Sequence, residues 1–249
     1  MSDWPWPHGA RAAVSLTYDD GNENNLDQAI PDLEARGLRG AFYLQTGRGD
    51  VRARAADWRR AFLNGHEIGN HTVRHPCLAA PYVPNYPAWL PPELRLEGFA
   101  PEDIAREVAE AARWLDEHIG PDPGRTFAHP CCSTGIGDPP DEAPYDAAIR
   151  KYHSAARVAG SAPNDPRTVN LLRIQSYPCV EPTLEQMIGY CEAALRTGGW
   201  TVLMFHGIGG PSHTTERHIH AALLDYLTAN PYWVAPVREV VRDILQGSG

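Results

Sequence analysis

The chain reads AAVSLTYDDGN over residues 12–22. A largely apolar run, 12–18, stops on two adjacent carboxylates, Asp19 and Asp20, and then a glycine. The run predicts a buried strand. Two acids side by side repel each other and seldom follow such a strand, so the doublet asks for a chemical reason.

Outward from this stretch, strand-like runs alternate with helix-like ones. LRGAFYL (38–44) predicts a second strand and HEIGNH (66–71) a short third. RTFAH (125–129), HSAARV (153–158), LLRIQ (171–175), WTVLMFH (200–206) and YWVAPV (232–237) continue the series. Residues 24–37 read as helical, with Leu26, Ile30 and Leu33 on one face and Pro31 dividing the helix or opening a second one. A longer helix is expected over 100–120, opened by Pro101, Glu102 and Asp103 and stopped by Gly120. Thr183 and Gln186 make a capping box for a helix ending near Gly198, and Thr214 or Thr215 starts a last long helix before Asn230-Pro231. Strands separated by helices imply parallel pairing through crossovers. About seven or eight such units in 249 residues suit a barrel better than an open sheet. The expectation is an α/β barrel in one domain, residues 9–246. The Pro-rich segment 76–100 is too long for a plain connection and reads as an elaborated loop over one mouth of that barrel.

Composition narrows the function classes. With 43% apolar and 21% charged residues the chain is of soluble globular type, and no run reaches membrane-spanning length. The net charge of −9 argues against nucleic acid or an anionic membrane as the main partner, and leaves a neutral sugar or small molecule open. The five cysteines, Cys77, Cys131, Cys132, Cys179 and Cys191, fit neither a disulfide framework nor a C-x-x-C metal site, so free thiols in a reducing compartment are expected. MSDWPWPHG has no basic start and no apolar h-region, which suggests a cytoplasmic location; a secreted form with its leader removed stays open, as does a homo-oligomer.

The chemistry collects at strand ends. The first strand ends in Asp19-Asp20, the third runs into HTVRH with His71 and His75, and WTVLMFH ends in His206. In a parallel barrel these ends share one face, so two carboxylates and three imidazoles converge. Each motif alone has a plainer account: Asp-Asp-Gly is usually a turn, H-x-x-x-H is common by chance among 11 histidines, and His206 can simply end a strand. Their coincidence at strand ends favours a divalent transition metal, held by imidazole and carboxylate as zinc, cobalt, nickel or iron are. Three protein ligands leave a position for water, whose pKa zinc lowers to roughly 7. A cation also offsets the repulsion in the doublet: one Asp ligates while its neighbour stays free to take a proton.

Together these segments resemble the polysaccharide deacetylases, carbohydrate esterase family 4, over about Gly9 to Leu245. LTYDDG is similar to the family's T-F-D-D-G, GHEIGNHTVRH to its G-H-E-I-G-x-H-[ST]-x-x-H, and LMFHGIGG to its closing L-x-H motif; WPHGARAAVSLTYDDG and GLRGAFYL are also typical. The resemblance implies a distorted (β/α)7 barrel, with Asp20, His71 and His75 binding a divalent metal (Zn2+, with Co2+ or Ni2+ as alternatives). Asp19 would be the general base. His206 would be the acid that protonates the leaving group, a role favoured by a nearby carboxylate. The implied substrate is an acetylated sugar or polysaccharide. Two departures stand out. In place of R-x-P-Y the chain has AHPC, 128–131, which lacks the Arg but keeps Pro130 and the Cys131 N–H, a candidate oxyanion donor; His129 is a stand-in for part of the missing role. The motif D-x-x-D-W is absent, and within 153–165 Arg157 is the candidate to orient Asp19. Tyr82, Tyr86 and Trp89 in the long loop would stack on sugar rings or merely cover the mouth. The alternatives are an allantoinase-like amidohydrolase of a small amide or ureide, and a carbohydrate-binding pseudoenzyme.

Overall fold

Among the described residues, ten strands account for the sheet structure: β1 (Ala12–Tyr18), β2 (Ala41–Leu44), β3 (Glu67–Asn70), β4 (Phe127–Ala128), β5 (Ala156–Ala159), β6 (Ile174–Pro178), β7 (Trp200–Phe205), β8 (Gly207–Ile208), β9 (Thr214–Thr215) and β10 (Tyr232–Val234). They come from a computed structural model that describes residues 4–79, 82–83, 90–210 and 213–247. β1 to β7 pair in chain order, all in parallel, and β7 pairs back onto β1 from Ala13 to Tyr18. That closes a seven-stranded barrel. β10 lies against Ala12–Val14, toward the start of β1, whereas β2 joins only at Thr17. The last strand therefore fills the gap that the short β2 leaves at the floor.

The helices are α1 (Ile30–Glu34), α2 (Gly49–Ala53), α3 (Ala55–Leu63), α4 (Pro101–His118), α5 (Ala143–Arg150), α6 (Leu184–Thr197), α7 (Arg217–Thr228) and α8 (Val237–Gly247). Strand parity sorts side chains between barrel interior and helical coat. Ala12, Val14, Leu16 and Tyr18 join a core cluster with residues of α1, α3, α6 and α7. Ala13 points the other way, into a cluster with Ala41, Tyr43, Ala128, Trp200 and Val202, closed below by Trp6 and the Val237, Val240 and Val241 face of α8. Ser15 follows Ala13 inward, bonded to the Ala235 carbonyl and to the Trp200 indole. Asp19 continues this inward row at the C-terminal end of β1.

The barrel and its parallel strands agree with the sequence expectation; several elements differ in detail. Residues 25–29 form a π-turn that runs into α1, with Pro31 in its first turn, where a missing N–H costs little. Thr214 and Thr215 do not start a helix: they form β9 beside β8, and α7 begins at Arg217. YWVAPV is strand only to Val234; Val237 opens α8, an amphipathic helix with Val240, Val241 and Ile244 on its buried face. The cysteine expectation is also corrected, because Cys77 and Cys131 are joined in a disulfide while Cys132, Cys179 and Cys191 are free. Cys77 follows the His71–His75 loop after β3 and Cys131 follows β4; the two strands are neighbours, and so their ends meet. Among the described residues no helix is long and apolar enough to cross a membrane.

Candidate active site

Parity alone would send Asp20 outward, away from Asp19. The backbone corrects this: Asp20 and Gly21 both take left-handed conformations, φ 71° and 70°. This turn brings the Asp20 carboxylate over the barrel rim. Its Oδ1 lies 3.5 Å from His71 Nε2 and 3.5 Å from His75 Nε2. The three ligand atoms lie within 4.8 Å of one another.

The H-x-x-x-H loop is held in an unusual shape. Thr72 and His75 both have positive φ, 65° and 61°, and for a β-branched residue this is a strained conformation. Surrounding bonds keep it there. The Asn70 side chain accepts from the Thr72 N–H at 2.8 Å, and Thr72 Oγ1 accepts from the His75 N–H at 3.0 Å. Glu107 on α4 accepts from the N–H groups of Val73 and Arg74 and from the Arg74 guanidinium. The His71 Nδ1–H donates to the Ala128 carbonyl at 2.8 Å, which fixes the tautomer and frees Nε2 toward Asp20. Glu107 was not singled out from sequence. Its signal was a lone acid on the face of α4 that carries Ile104, Val108 and Leu115, all buried with it.

Asp19 is buried, and Arg157 on β5 reaches across the barrel to it. Arg157 Nη2 lies 2.5 Å from both Asp19 oxygens, Nη1 donates to Ser176 Oγ at 3.1 Å, and the guanidinium sits 5.2 Å from the Tyr43 ring centre. Arg157, the candidate named from sequence, thus meets Asp19. His129 does not. Its outward parity packs it between Phe127 and Tyr145, with Nδ1 bonded to the Ser133 carbonyl, and burial with nearby Arg173 pulls its pKa to about 3. Pro130 is buried at the head of the turn that carries Cys131 at φ 49°.

His206 follows β7 with inward parity. With Asp20, Asn22, Asn24, Arg48 and His213 it lines an open cavity of about 530 Å³. Its Nδ1 is buried with no hydrogen-bond partner among the described residues, and the carboxylate nearby is that of Asp20, which shares the cavity with it. Tyr86 and Trp89 lie outside the described residues.

Burial and mutual contact shift the three groups unevenly. Burial opposes the charged form of Asp20, but the His71 hydrogen bond and the charges of His71 and His75 bring its pKa well below the usual carboxylate range. Burial likewise lowers His71, and its bond to Asp20 with the charges of both aspartates reverses this and raises it. His75 is pulled to about 4 by burial and by the His71 charge. Two imidazoles and a carboxylate, each with a lone pair facing one point, suit a divalent transition metal.

Comparison with known proteins agrees with this geometry. The profile described as polysaccharide deacetylase matches residues 8–136, just over half of the chain. No curated protein matches it. Among solved structures, the chain is similar to a family 4 acetyl xylan esterase from Clostridium thermocellum in complex with a cobalt ion: 19% identity, TM-score 0.60, covering 95% of this chain and 93% of that one. It is similar to the peptidoglycan deacetylase PdaC from Bacillus subtilis, at 16% identity and TM-score 0.60, covering 94% and 92%. It is also similar to a mutant of BA3943, a CE4 family pseudoenzyme, at 15% identity and TM-score 0.57, covering 92% of this chain and 67% of that one.

Proposed function

Because the chain belongs to the polysaccharide deacetylase family, we propose that it is a metal-dependent hydrolase removing N- or O-linked acetyl groups from an acetylated carbohydrate. One observation carries the reading: a two-histidine, one-aspartate donor set lies beside a second carboxylate that an arginine holds in place. Asp20, His71 and His75 would hold the cation, Zn2+ or else Co2+ or Ni2+. Bound there, it would polarise the scissile carbonyl and make water acidic enough to deprotonate near neutral pH.

The protein groups divide the remaining work. Asp19 takes the proton of the attacking water, and Arg157, which does not deprotonate, keeps that carboxylate aimed. The Cys131 N–H donates to the oxyanion that develops as water adds to the carbonyl carbon. His206 gives a proton to the leaving nitrogen or oxygen as its bond to the acyl carbon breaks, releasing acetate. The cavity beside His206 is polar and open, which suits a sugar unit better than an apolar ligand.

The test is metal analysis combined with acetate release from acetylated xylan, chitooligosaccharides and small amides. Acetate from a carbohydrate, lost on chelation and restored by Zn2+, Co2+ or Ni2+, is expected. Turnover indifferent to chelation, turnover confined to small amides, or sugar binding with no turnover would each replace this reading.

A further inference from the structure

His75 stands between two donor sets. Its Nε2 faces Asp20 at 3.5 Å, and its Nδ1 faces Cys77 Sγ at 3.6 Å. Cys77 Sγ is bonded to Cys131 Sγ, and His75, Cys77 and Cys131 together place one ligand atom each within 4.8 Å of one another. Cys77 is fully buried. The third sulfur nearby does not belong to this group, since Cys132 Sγ accepts the Ala159 N–H at 3.1 Å on the Arg157 side.

We propose that the reduced chain carries a second metal site, built from Cys77 Sγ, Cys131 Sγ and His75 Nδ1, which takes a thiophilic divalent cation. As a disulfide the two sulfurs have no thiolate charge and ligate nothing strongly. Reduction by a phosphine breaks the S–S bond: phosphorus loses two electrons and takes oxygen from water, and the two water protons end on the sulfurs. A divalent cation then displaces those two protons and binds two thiolates and one imidazole nitrogen. The Cα atoms of the two cysteines are 5.7 Å apart, so both sulfurs stay beside His75 once the bond is open. Two soft thiolates with one imidazole favour softer cations than the Asp20, His71 and His75 set does. A cation held at Nδ1 draws on the same imidazole that the rim set uses through Nε2. The disulfide therefore masks a competing site next to the rim set. The proposal does not depend on the deacetylase activity.

The probe is Co2+ titrated into the full chain, oxidised or phosphine-reduced and freed of reductant without air, read by the thiolate-to-cobalt charge-transfer band. The band should reach full intensity at one equivalent in reduced protein and be absent in oxidised protein. It should be lost in Cys77→Ser and in Cys131→Ser, and should persist in Asp20→Asn and in Cys132→Ser. Reduced protein without the band, a band that survives Cys77→Ser, or a band lost in Cys132→Ser would overturn the proposal. The comparison of oxidised with reduced wild type decides the matter even if a serine variant fails to fold. Metal content of the oxidised chain and its acetate release report separately on the rim set.

Discussion

Asp19 and Asp20 are neighbours in sequence with opposite surroundings, and their substitution should separate two functions. Asp19→Asn keeps the volume and removes the proton acceptor. It is expected to retain the bound cation and lower kcat by about 10²- to 10⁴-fold. Asp20→Ala should lose cation and activity together; metal content and acetate release on both variants check this. Near-normal turnover in Asp19→Asn would remove Asp19 from its role. Arg157 is legible only in part from sequence. Its candidacy rested on a missing motif, whereas its reach depends on the barrel bringing β5 opposite β1. Because the pair is buried, Arg157→Ala strands a carboxylate in the interior and should cost about 3–5 kcal/mol in denaturant unfolding. Arg157→Lys keeps the charge but loses the planar fork, so kcat should fall with KM little changed. His129 was misassigned because sequence adjacency to Pro130 says nothing of strand parity: Ala128 points in and His129 points out.

At the scale of elements, the His71–His75 loop after β3 is fastened to α4. Glu107 satisfies two backbone N–H groups of the strained loop at once. Glu107→Ala should destabilise the fold by about 1–3 kcal/mol and weaken cation binding by about 10- to 100-fold, measured by denaturation and by metal titration. Unchanged cation affinity would mean that the loop keeps its shape without α4. The same elements show where sequence stops informing. β1, β2 and β7 were readable because each carries a continuous apolar run between turn signals. The long helix α4 and the capped α6 were readable from their ends. The short helices α2, α3 and α5, and α8 after the last strand, went unread. β4 is only two residues long, and its place is fixed by pairing with β3 and β5 rather than by its own pattern. The disulfide was illegible for a similar reason: its partners are 54 residues apart, and only the pairing of β3 with β4 brings them together.

For the whole molecule, buried histidines set an acid limit. His129 and His153 are held near pKa 3 and His66 and His220 near 4, each chiefly by burial. In the unfolded chain each would titrate near 6.5. Below about pH 6.5 the unfolded state therefore binds protons that the folded state refuses, and stability falls as pH falls. Each group contributes up to about 1.4 kcal/mol per pH unit until its folded pKa is reached. Against a total of about 5–15 kcal/mol, four such groups are enough for acid unfolding above about pH 4. Thermal melts in chelator should be flat above about pH 7 and fall steeply from about pH 6.5 to 4, and His153→Gln should flatten part of that slope. A melting temperature unchanged at about pH 5 would contradict it.

The opposite end of the barrel has a practical consequence. Trp6 bonds to the Gly198 carbonyl just ahead of β7, and Trp4 bonds to Asp243 on α8, so the first and last described segments meet at the floor. Held on a bead through the exposed side of α8 at that floor, the molecule would turn its cleft toward solution, and a bulky partner could be brought to it without a spacer.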